Sequence, residues 1–149
     1  MKRTTIEQEL KDTGRCLIQT VGVSMEPLLH NRYSSVVLEE IKQPLKLYDV
    51  VLFQRPSDGD YVLHRIVKIR EHDYLICGDN CIQKEPVLPE QIIGIMTGYF
   101  NGDDFADCAA DVKYKRYVRS LPCRYLYRWC RAFPGRVVRR LKRGFSWKE

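Results

Sequence analysis

The chain has no run of 18 apolar residues, so the sequence predicts no transmembrane helix. Residues 1–11 read MKRTTIEQELK and lack the apolar core of a secretory signal. The six cysteines, at positions 16, 77, 81, 108, 123 and 130, include no CxxC pair and no second cluster at zinc spacing. That removes a cysteine-based zinc site, and no metal or cofactor is expected. Internal repeats and low-complexity tracts are absent as well. These absences together predict a reduced cytosolic protein with free thiols.

Acid is scarce at one end. Residues 113–149 hold 13 Lys and Arg and a single acid, Glu149, whereas residues 1–112 hold 12 basic and 18 acidic residues. The overall charge of +6 therefore hides a mildly acidic body with a strongly basic tail. Such a split points to an anionic partner for the tail, a membrane surface or a nucleic acid. The remaining composition, 44% hydrophobic and 30% charged in 149 residues, suits one domain with a real core.

Turn chemistry and apolar patterning place the elements. Residues 4–14 predict a short helix capped by Thr4 or Thr5 and ended by Gly14. Strands are predicted at 15–21, 34–41, 48–54, 61–69, 74–77 and 92–100, with turns at 56–59, 78–80 and 101–102. Many short strands predict a mainly β body, either a barrel or coiled sheets. After Asp111 the period changes. Leu121, Tyr125, Trp129 and Phe133 recur every four residues, as do Val137, Leu141 and Phe145. The spacing predicts two amphipathic helices, 122–133 and 134–145, each opened by a proline. The chain thus divides into a β domain, 1–111, and a basic helical tail, 112–149.

Three short segments carry chemistry. Ser24, in Gly22-Val23-Ser24-Met25-Glu26-Pro27, follows a strand and opens a turn, where its hydroxyl can face a cleft and nearby amides can face an oxyanion. Gly22 would allow close approach of a substrate backbone. The plain alternative is that Ser24 only caps the turn. His64, in Leu63-His64-Arg65-Ile66, can take the serine proton near neutral pH. Its plain alternative is a buried histidine bonded into the core. A base of this kind needs an acid to orient it. Asp79, in Gly78-Asp79-Asn80, and Glu85 are both candidates. Asp79 could instead bond its own turn, and Glu85 could be a solvated loop charge.

The segments GVSMEPLL, LYDVVLFQR, YVLHRIVKI, YLICGDN and IIGIM, in this order over residues 21–98, resemble the boxes of type I signal peptidases, within the superfamily that includes LexA. The match is nearest the Ser/His branch of the endoplasmic reticulum and archaea. The resemblance implies a signal-peptidase-like fold with Ser24 as nucleophile and His64 as base, where many relatives use lysine. Asp79 matches the GDN aspartate, and Glu85 stands where that branch has its relay aspartate. It also implies an extended peptide or precursor substrate with small residues before the cut. Two departures stand out: no membrane helix precedes the serine box, and Gly22 replaces an oxyanion-supporting hydroxyl residue.

The expected function is therefore a serine endopeptidase that processes a peptide or leader. Its activity should fall as His64 protonates below about pH 6.5. The alternatives are a weak or inactive peptide-binding module and a LexA-like regulator. For the tail, packing on the body competes with peripheral binding to an anionic membrane through basic residues and Trp129, Phe133, Phe145 and Trp147. Nucleic acid is the least favoured partner, because no recognised binding module is present.

Overall fold

The structure is a computed structural model that describes residues 5–144, with side chains described as far as residue 132. Helix α1 spans Ile6–Thr13. Thr5 caps it by accepting a hydrogen bond from the Gln8 amide, and Gly14 ends it in the left-handed conformation at φ 74°. Eight strands follow: β1 Arg15–Gln19, β2 Ser34–Glu39, β3 Val50–Gln54, β4 Tyr61–Ile69, β5 Tyr74–Cys77, β6 Glu85–Val87, β7 Ile92–Asn101 and β8 Asp104–Asp107. A single 3-10 turn, Pro89–Gln91, separates β6 from β7. Helix α2 runs from Val112 to Gly144.

The strands form one antiparallel sheet in the order β1-β2-β7-β3-β4-β5-β6, with β8 paired to β7. Among the described residues no pairing joins β6 back to β1, so the sheet is open and the barrel alternative is corrected. The protein is mainly β, as the turn-punctuated pattern predicts.

The core follows the two-residue period of a strand. Val50 and Leu52 of β3 join Leu38, Met96 and Leu29 on one side. Val51 and Phe53 join Ile66, Ile76 and Val87 on the other. A strand covered on both faces must be apolar throughout, which explains the unbroken run at 50–53. In β4 the alternation turns His64 and Arg65 to opposite sides. Arg65 meets Tyr114 of α2, whereas His64 lies beside Phe53 with ring centroids 6.3 Å apart.

Two short strands escape the sequence pattern. Glu85 belongs to β6, paired with Ile76 of β5, rather than to a loop. Pro86 is tolerated there because β6 is an edge. β8 completes a hairpin across the Asn101-Gly102 turn.

The tail corrects a second expectation. One continuous helix of 33 residues replaces the two predicted. A proline inside a helix removes one backbone bond and crowds the preceding turn. At Pro122 the packing outweighs that cost. Tyr114 and Leu121 before it are buried, Tyr125 after it is partly buried, and the proline itself faces solvent. The side chain of Phe133 and those of residues 134–149, which include the predicted stripe of Val137, Leu141, Phe145 and Trp147, lie outside the described residues.

Candidate active site

Ser24 lies in a compact turn between β1 and β2, and it is half-buried. Among the described residues no hydrogen bond takes up its hydroxyl, so Ser24 is not a cap. Gly22 adopts φ 96°, a left-handed conformation that a side chain would strain. A Cβ there would meet nothing within 4 Å, so backbone conformation rather than crowding calls for glycine. The Gly22 amide donates to Asn31 Oδ1 at 2.9 Å and is already occupied.

His64 is 9% exposed. Its Nδ1 lies 3.2 Å from Glu85 Oε1. Its Nε2 points the other way, toward Gly78 and the serine turn. A Cβ added at Gly78 would lie 3.0 Å from His64 Nε2, 2.6 Å from the Ser24 carbonyl oxygen and 2.9 Å from Cys81 Sγ. The imidazole and the Ser24 backbone therefore converge on one glycine. Burial pushes the His64 pKa below its ordinary value, because a charged ring loses hydration there. Glu85 opposes this shift and Arg55 adds to it.

Glu85 is gripped from outside by Arg55, whose Nε and Nη2 donate to its carboxylate at 3.3 to 3.4 Å. Arg55 also reaches Asp58 at 3.5 Å. Sequence reasoning missed Arg55, which sits at the end of the LYDVVLFQR segment beside a turn and resembles an ordinary solvated charge.

Asp79 does a different job from Glu85. Both of its oxygens accept from Arg65, Nε and Nη2, at 2.7 Å. Tyr117 and Tyr125 of α2 donate their hydroxyls to it at 3.0 and 3.2 Å. The Arg65 and Asp79 side chains are both fully buried. Burial opposes the guanidinium charge, but the bonds and charge of Asp79 win, and the Arg65 pKa is raised. Burial first and Asp79 second raise the pKa values of both tyrosines, so they remain hydroxyl donors. Of the two candidate acids, Glu85 touches His64 and Asp79 does not hydrogen-bond it.

Each residue of the Gly78-Asp79-Asn80 turn thus faces a different element. Gly78 passes beneath His64 and the Ser24 carbonyl. Asp79 ties Arg65 to α2. Asn80 holds the serine turn, its amide donating to the Ser24 carbonyl at 2.7 Å and its Nδ2 to the Val23 carbonyl at 3.1 Å.

Ser24 and His64 share a cavity of about 400 Å³, also lined by Ile18, Met25, Arg55 and Leu63. Its wall includes residues 61–64 of β4, a stretch that pairs with β3 on one side, whereas β5 joins β4 only from Arg65 onward. Among the described residues no group of three His, Cys, Asp or Glu could hold a metal ion. No described helix is long and apolar enough to cross a membrane. No protein-family model matches this chain, and no curated protein matches it.

Proposed function

We propose that this chain is a serine endopeptidase of the signal peptidase and LexA kind, processing an extended peptide or leader. One observation carries the reading: His64 is held at Nδ1 by Glu85 and turns Nε2 toward the turn that presents an unbonded Ser24 hydroxyl. In this reading Glu85, His64 and Ser24 serve as acid, base and nucleophile, with Ser24 and His64 sharing one cavity but not hydrogen-bonded to each other.

Ser24 Oγ attacks the substrate carbonyl as His64 Nε2 takes its proton. Glu85 keeps the remaining ring N–H at Nδ1 and stabilises the imidazolium. The oxyanion is met by backbone amides of the serine turn other than those of Gly22 and Glu26, which already donate to Asn31 and Val23. His64 then gives its proton to the leaving amine, leaving an acyl-enzyme on Ser24. Water, deprotonated by His64, releases the acid product. The strand edge at 61–64 lets the substrate bind as an added strand. Resemblance to signal peptidases adds small residues before the cut.

Mass spectrometry of candidate peptides incubated with wild type and Ser24→Ala tests the proposal. Cleavage by wild type alone is expected, and equal cleavage by both would sink it. A weak peptide-binding module is the second reading, favoured by the occupied Gly22 amide. Peptide binding by both proteins with cleavage by neither would select it.

A further inference from the structure

A second cavity, of about 420 Å³, lies between the loop that follows Gly78 and helix α2. Cys81, Ile82 and Lys84 line it from the loop, and Leu126, Arg128 and Trp129 line it from the helix. Apolar side chains stand in solvent here: Ile82 is 42% exposed, Leu126 62%, Tyr127 64% and Trp129 50%. Positive charge surrounds them. Residues 113–131 hold seven Lys and Arg and no acid. Among the described residues none of those seven forms an ion pair with a carboxylate, although Arg124 and Arg128 lie over the rings of Tyr117 and Tyr125.

We propose that Ile82, Lys84 and the outer side of α2 around 124–131 form a docking surface for an anionic lipid bilayer. Uncompensated cations complement anionic headgroups. Exposed aliphatic and aromatic groups beside them can enter the boundary with the acyl chains. Nucleic acid fits less well: Tyr127 and Trp129 offer rings to stack on, but the exposed aliphatic Ile82 and Leu126 gain nothing against bases or phosphates and are buried only at an acyl boundary. The surface does not depend on the peptidase reading, and Ser24→Ala should bind lipid as wild type does.

Co-sedimentation of the full chain with vesicles at low salt tests the proposal. Binding is expected to vesicles of phosphatidylglycerol and phosphatidylcholine and not to phosphatidylcholine alone. Lys84→Gln and Arg131→Gln should each weaken it roughly fivefold, since a basic residue near such a surface contributes about 1 kcal/mol. The double variant Leu126→Gln, Tyr127→Gln should weaken it as well, with circular dichroism unchanged. No binding at low salt would overturn the proposal. So would full binding by the double variant, or tighter binding to duplex DNA with the same dependence on arginine.

Discussion

Glu85 Oε1 lies 3.2 Å from His64 Nδ1, and Arg55 holds the same carboxylate through both of its oxygens. A carboxylate fixed by a guanidinium can fix the ring beside it. Glu85 is one methylene longer than the aspartate of the resembling branch. It reaches His64 because β6 pairs with β5 and brings the side chain to the sheet beside β4.

Glu85→Gln keeps the shape and removes the charge. Its kcat should fall by up to about 10⁴-fold, the loss that follows when the acid of such a triad becomes an amide. Steady-state kinetics would read this. An unchanged kcat would remove Glu85 from the mechanism.

The pH profile separates the two neighbours of His64. The base must be neutral, so activity is present above the His64 pKa and is lost as pH falls through it. Burial lowers that pKa, which puts the acid limb below about pH 6.5. Arg55→Gln removes a lowering charge and should move the limb to higher pH. Glu85→Gln removes a raising charge and should move it to lower pH. Titration of the His64 ring by NMR would follow both shifts without needing a substrate.

Asp79→Asn should act on stability first. It leaves the fully buried Arg65 guanidinium without its counter-charge, and breaking a buried pair from one side costs about 3–5 kcal/mol. Denaturant unfolding would measure this. Replacing both partners with apolar residues should restore only part of the loss, because no stranded charge then remains but the Tyr117 and Tyr125 hydroxyls lose their acceptor.

Gly78→Ala should damage the site and the fold together. The added methyl would press on the Ser24 carbonyl at 2.6 Å, an atom the backbone cannot easily withdraw. A cost of about 1–3 kcal/mol is expected for the overpacking, with a loss of activity larger than the stability change explains. Near-normal cleavage would show that the serine turn tolerates displacement.

Much of the β body could be read from the chain. The strands at 61–69 and 74–77 match their predicted limits, because turn residues bracket clear apolar patterns. The motifs that converge on Ser24 and His64 were visible for the same reason. The choice between Asp79 and Glu85 was not visible. It depends on the register of β6, a three-residue edge strand containing proline, and on Arg65 claiming Asp79 first. Tyr117 and Tyr125 were equally hidden, since a tyrosine on an amphipathic helix reads as core until its partner in another element is known. The passage of α2 through Pro122 failed as a local prediction because the packing that holds the helix there comes from Arg65 and Asp79, distant in sequence.

The tyrosine hydroxyls on Asp79 also impose an order on assembly. A ribosome releases this chain from its N-terminal end, so Ser24, His64 and Glu85 emerge well before Tyr117 and Tyr125. Until α2 arrives, Arg65 and Asp79 face water, and the turn that spaces the imidazole from the serine lacks its final anchor. The foundation under the cleft is thus the last part of the body to be laid, and a chain still being synthesised has not yet acquired it.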